Sequence, residues 1–275
     1  MDKLRFGTSG IPLSTQKKGT AEGIKRVHEL NLDAMELEFV KSIYIKKENT
    51  PEIKKTSEKE DIILTCHAPY FINLNSSDKK KFYSSIGYIK NSSVIASLCG
   101  AYSVCFHPGF YQKQDPKKVF EKIKEALKII SKDVKEIDKN LWIRPETTGK
   151  VAQFGTLHEV INLSLEFDNV LPCIDWSHLM AWSNGKFNTK EEFVDVLTLM
   201  ESKLGRKALD NVHFHCQGIE FNEKGERWHK NLKDSSLNYE ELLKTWKDFK
   251  IKGIVIAESP NVEEDALLMN NLYYQ

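Results

Sequence analysis

Short apolar runs alternate along the chain with longer segments whose apolar residues recur every three or four positions. The runs at 4–10, 34–39, 61–66, 103–106, 141–144, 170–174, 211–215 and 253–257 have the length and composition of buried strands. Between them, 21–30, 51–59, 78–98, 116–137, 157–167, 190–204, 239–249 and 262–273 carry helical spacing, as in Ile24, Val27 and Leu30. Regular β-α alternation requires parallel strands covered by helices, and eight such units close into one barrel. The expectation is therefore an α/β chain, a single (β/α)8 TIM barrel spanning 1–275, with no Pro-, Gly- or Ser-rich linker dividing it. A doubly wound open sheet is the rival, and the first strand is not followed by the GxGxxG that such a fold would favour. The long irregular stretch 217–238 exceeds an ordinary connection and is expected to be a functional loop after the seventh strand.

Composition adds limits. Hydrophobic residues make up 40% and charged residues 29%, which suits a globular protein. No apolar run approaches the ~20 residues of a membrane helix, so no membrane partner is expected. The strand-like run begins at once after Met1, leaving no room for a signal peptide. The five cysteines form a dispersed, odd set without CxxC, read as reduced core residues of a cytoplasmic protein. With 40 basic and 39 acidic residues, net charge gives no argument for nucleic acid, and composition does not set the oligomeric state.

The strand ends carry the chemistry. All C-terminal strand ends of such a barrel share one face. Those of strands three to eight bear His67, His107, Glu146, Asp175 with His178, His213 with His215, and Glu258. With His229 in the long loop, six of the eight histidines gather there, while His28 and His158 fall inside helical segments and read as structural. A single carboxylate at a strand end often only caps the next helix. Six consecutive strands ending in metal-capable groups call for another explanation. Imidazole and carboxylate donors suit Zn²⁺, Mn²⁺ or Fe²⁺, and this many donors suit two or three ions. Clustered ions are arranged for in-line displacement at phosphorus.

These motifs resemble endonuclease IV, the zinc-dependent apurinic/apyrimidinic endonuclease on the xylose-isomerase-like barrel. The resemblance lies in His67-Ala-Pro-Tyr70, His107-Pro-Gly109, Pro145-Glu146-Thr-Thr-Gly149, Asp175-Trp-Ser-His178, His213-Phe-His215, His229 and Glu258-Ser-Pro, and spans nearly the whole chain. The Gly218-Ile-Glu and Gly225-Glu226 stretch is more similar to archaeal members. The resemblance implies that His67 and His107 hold one zinc and that Glu146 bridges it to a second. Asp175, His213 and Glu258 would complete the second site, and His178 and His229 the third. Tyr70 matches an aromatic that enters the minor groove of double-stranded DNA at an abasic site, whose nucleotide is flipped out. Cleavage 5′ to that site, with Glu146 or Glu258 as proton acceptor, would leave a 3′-hydroxyl and a 5′-deoxyribose phosphate. The family's Asp two residues before the last histidine is replaced by Arg227, leaving the third site one ligand short, with Glu226 and His215 the candidates to fill it.

The alternative is a sugar isomerase or epimerase on the same barrel, using a single Mn²⁺ or Mg²⁺ on Glu146, Asp175, His213 and Glu258. That chemistry does not require His67, His107 and His178, which favour the nuclease. A metal-binding protein without catalysis is a third class. A monomer is expected, acting on DNA that carries abasic sites.

Overall fold

The computed structural model describes residues 1–275. Eight parallel strands form the central sheet: β1 (Leu4–Ser9), β2 (Ala34–Glu38), β3 (Ile63–His67), β4 (Ser103–Phe106), β5 (Trp142–Pro145), β6 (Ile174–Asp175), β7 (Val212–Cys216) and β8 (Gly253–Ala257). They run around the sheet in the order β5-β4-β3-β2-β1-β8-β7-β6. Between β5 and β6 the ring is completed by single parallel bridges, Ile143 to Val170 and Glu146 to Cys173. Leu171 N donates to Ile143 O at 3.2 Å and Cys173 N to Pro145 O at 3.0 Å. The run at 170–174 is therefore the sixth barrel stave, but only its end is regular strand. Pro172 has no N–H to give a continuous ladder.

Helices cover the outside. The longest are α3 (Lys79–Leu98) and α4 (Pro116–Ile137), preceded by α1 (Thr20–Glu29) and α2 (Thr50–Glu60). Then come α5 (Leu157–Leu165), α6 (Trp176–Trp182), α7 (Lys190–Leu204), α8 (Arg206–Leu209), α9 (Tyr239–Asp248) and α10 (Glu263–Tyr274). Their starts are chemically marked: the Asp115 carboxylate accepts from Lys117 N and Lys118 N, and Thr156 with Glu159 and Thr189 with Glu192 form capping boxes. Periodicity does not foretell α6 and α8, which are too short to show it.

The main hydrophobic core, 65 buried residues, packs chiefly between strands and helices. The barrel lumen is different. Ala34, Ile254 and Ile256 make a small apolar cluster of their own, Ile254 and Ile256 lying in register with His213 and His215. The rest of this region is polar, with Glu36, Ser103, Cys105, Cys173, His213 and His215 all fully buried. Barrels of this kind usually fill that space with branched apolar side chains. The stretch 217–238, expected to be irregular, is mostly an antiparallel hairpin of Gly218–Asn222 and Gly225–Lys230. A second small ribbon pairs Gly109–Phe110 with Gln153–Phe154.

Candidate metal centre

Glu146 follows β5 and is wholly buried at the centre of the strand ends. Its Oε2 lies 3.0 Å from His67 Nε2 and 3.5 Å from His107 Nε2. Its Oε1 lies 3.3 Å from both His178 Nδ1 and His215 Nδ1. One carboxylate thus faces four imidazoles brought from four different strand ends. His67 is oriented by its other nitrogen, Nδ1, which lies 2.7 Å from Ala68 O. Asp175 caps α6, accepting from His178 N at 2.7 Å, while its Oδ2 accepts from Gln217 Nε2 at 2.7 Å. That cap turns the helix so that His178, one turn in, faces the centre.

Donor atoms from Glu146, Asp175, His215 and Glu258 all lie within 4.8 Å of one another, as do those from His107, Glu146 and His178. His213 does not join them. Residues alternate inward along β7, and His213 sits one step deeper than His215. Its Nε2 is 3.1 Å from Glu36 Oε2 and its Nδ1 is 2.9 Å from Ser103 Oγ. The place expected of His213 beside Glu258 is occupied by His215, whose Nδ1 lies 3.5 Å from Glu258 Oε2.

Glu226, one of the two candidates for the position that Arg227 leaves open, stands beside His178 and His229. Glu226 Oε2 lies 3.5 Å from His178 Nε2, and its Oε1 lies 3.8 Å from His229 Nε2. Residues three apart on a strand face opposite ways. Here the hairpin register shifts between Glu220 and Phe221, which pair with Trp228 and Glu226, so Arg227 is the extra residue of a β-bulge. The bulge restores the facing that a two-residue spacing would give. Two glycines let this hairpin approach. A Cβ on Gly149 would lie 2.7 Å from Glu226 Cβ, and one on Gly225, at φ +92°, would lie 2.1 Å from Gly149 O.

The buried carboxylates are balanced by imidazoles alone. Burial alone would raise the Glu146 pKa, but the charges of His107 and His215 and hydrogen bonds from His178 and His215 hold it well below the usual range. Burial and the neighbouring Glu146 and Asp175 charges push Glu258 well above it, against the pull of His215. Burial and the Glu36 charge raise Glu38 to about 7. Burial depresses His67, yet its hydrogen bond to Glu146 prevails and carries it to about 10, while burial lowers His107 to about 4. No arginine or lysine pairs with Glu36, Glu146, Asp175 or Glu258, and the nearest cation, Lys150 Nζ, stands 4.0 Å from Glu226 at the edge. Buried carboxylates without such partners, with His107 Nδ1 left unpartnered, are a donor set that divalent metal fits.

The centre opens into a cavity of about 410 Å³ lined by His67, Tyr70, His107, His178, His229 and Glu258, among others. Tyr70 stands 49% exposed on its wall, its ring 5.0 Å from that of His67, and Phe71 and Phe110 are exposed as well. The motifs do not single out Glu36, Glu38 or Gln217. Glu36 and Glu38 carry a usable signal, since two carboxylates at period two within a strand buried on both faces must point into the lumen.

The family model described as xylose isomerase-like TIM barrel matches residues 24–272. An uncharacterized protein of Methanocaldococcus jannaschii is 41% identical over 98% of this chain and 97% of its own length. The probable endonuclease 4 of Mycoplasma genitalium is 25% identical over 76% of this chain and 71% of its own. Among solved structures, endonuclease IV from Thermus thermophilus superposes with a TM-score of 0.73 at 19% identity, covering 97% of each chain. A D-tagatose 3-epimerase-like protein gives 0.70 at 17% identity, covering 97% of this chain and 96% of that one. The chain belongs to the xylose isomerase-like TIM barrel family.

Proposed function

We propose that this protein is a metal-dependent apurinic/apyrimidinic endonuclease that hydrolyses the DNA phosphodiester 5′ to an abasic site. The observation that carries the reading is the set of His67, His107, His178 and His229 gathered with Glu226 around the shared Glu146. One ion on Glu146, Asp175, His215 and Glu258 would leave those five donors without a role.

Zinc or manganese bound there would supply Lewis acidity and a water of lowered pKa. Two or three ions are proposed: His67 and His107 with Glu146, then Glu146 with Asp175, His215 and Glu258, then His178, Glu226 and His229. The protein's own contribution is placement. Glu146 holds four imidazoles in register, and Gln217 and the α6 backbone fix the Asp175 carboxylate. Glu258, 3.5 Å from His215, accepts the proton of the attacking water once neighbouring positive charge has lowered its pKa. Tyr70, exposed on the cavity wall, enters the duplex beside the flipped nucleotide. The hairpin within 217–238 is functional in this reading because it delivers Glu226 and His229.

A second reading rests on the quartet of Glu146, Asp175, His215 and Glu258, which alone would serve a sugar epimerase with a single divalent ion. A duplex bearing one tetrahydrofuran abasic analogue separates the two. The nuclease reading expects a single nick on the 5′ side with zinc or manganese supplied, and two or three zinc equivalents per chain. No nick under either metal, together with a single bound ion, would overturn it in favour of the epimerase.

A further inference from the structure

The polar layer below the rim is not used by the reaction proposed above, and it has the composition of a second metal site. Cys105 from β4, Cys173 from the sixth stave and His213 from β7 point into the lumen and are fully buried. Donor atoms of Cys105, Cys173, His213 and His215 all lie within 4.8 Å of one another. Glu36 Oε2 is 3.1 Å from His213 Nε2 and 3.4 Å from Cys105 Sγ. Bonds of about 2.0–2.3 Å in a tetrahedral shell place ligands at separations of this order. Distances like these also occur in ion pairs, and Glu36 Oε1 is likewise 3.0 Å from His215 Nε2, but the contacts of His213 Nε2 and Glu36 Oε1 are too misdirected to be hydrogen bonds. Close but misdirected contacts among buried polar atoms are the arrangement a cation between them would satisfy. His215, whose Nδ1 faces Glu146 and Glu258 at the rim, turns its Nε2 into this layer 3.9 Å from Cys105 Sγ, but Glu36 stands nearer Cys105 at 3.4 Å and is assigned as the fourth ligand.

We infer that Cys105, Cys173, His213 and Glu36 form a buried structural site for a thiophilic divalent cation, zinc first, separate from the rim centre. Binding displaces both thiol protons to solvent, and two thiolates with a carboxylate and a neutral imidazole make a closed shell with no open position. The site pins β2, β4, β7 and the sixth stave together where the lumen lacks apolar filling.

Cobalt reports this directly, because thiolate ligation gives an intense near-ultraviolet charge-transfer band that nitrogen and oxygen donors do not. The full chain, grown in cobalt, is expected to show that band, and Glu146→Gln, which disturbs only the rim, is expected to keep it. Cys105 also stands within reach of His67 and Glu146, so Cys173→Ser is the decisive variant. It should lose about half of the band and weaken one metal equivalent, and the Cys105→Ser, Cys173→Ser double variant should lose all of both. A cobalt-loaded wild type without the band overturns the inference, as does a band undiminished in Cys173→Ser. If the cysteine variants do not fold, zinc X-ray absorption on Glu146→Gln decides. Sulfur scatterers at about 2.3 Å support the site, and a purely nitrogen and oxygen shell overturns it.

Discussion

At the scale of single residues, position along β7 separates two histidines that look equivalent in sequence. His215 reaches Glu146 and Glu258, whereas His213 turns to Glu36 and Ser103. Replacing Glu146 by Gln keeps the shape but removes the charge that all four surrounding imidazoles face. Several kcal/mol of transition-state stabilisation should go with it, a fall on the order of 10³-fold in kcat/KM on the abasic duplex. Steady-state incision rates check this, and full activity in Glu146→Gln would refute the bridging role. His215→Gln should behave likewise and lower the zinc bound at the rim, read by metal quantification after dialysis. Unchanged rim occupancy and incision would return the ligand role to His213.

At the scale of elements, the bulge in the hairpin decides whether the proposed third site is complete. Glu226 and His229 share a face only because Arg227 is extruded from the register. Deleting Arg227 shortens the spacing to two residues and removes the need for the bulge, so the same two side chains still face His178. The deletion is therefore expected to keep incision within about tenfold, whereas Glu226→Ala should cost on the order of 10–100-fold and one zinc equivalent. Placing the carboxylate at the bulged position, as Glu226→Ala with Arg227→Asp, should not rescue it. Rescue in that double variant would mean the strand is regular. The hairpin also shows where sequence reading stops. The eight strand–helix units and the convergence of their ends follow from periodicity and topology, and those place His67, His107, Glu146, Asp175 and His178 together. A bulge is a change of register between two strands, which leaves no trace in the spacing along one of them. The choice of His215 over His213 likewise depends on strand depth. α6 has only seven residues and is held by the Asp175 cap, so its periodicity is too short to read.

At the scale of the whole molecule, the barrel concentrates buried carboxylates that only histidines accompany, so stability should depend jointly on metal and pH. Glu38, raised to about 7 from a usual value of 4.5, stabilises the metal-free fold fully below pH 4.5 and loses that contribution as pH rises through 7. Glu258, raised by burial and by the Glu146 and Asp175 charges, acts in the same direction. His67, raised to about 10 from 6.5, contributes stability that is complete below pH 6.5 and fades toward 10. His107, lowered to about 4, works oppositely, but only between pH 4 and 6.5. Above pH 6.5 only Cys173 opposes, its thiol brought down to about 6 against burial by Cys105 and the charges of His215 and His213. The raised Glu38, Glu258, His67, His178 and His215 outweigh that single group, and chelator-treated protein should melt progressively lower from pH 6.5 to 9. Bound cations offset the same charges and stabilise by binding the folded state alone. The metal-loaded protein should hold its Tm over that range, so the gap between loaded and stripped protein widens with pH. Paired calorimetric melts at pH 6.5, 7.5 and 9 measure it. A gap that stays constant or narrows would mean that the buried carboxylates are balanced by protein groups rather than by metal.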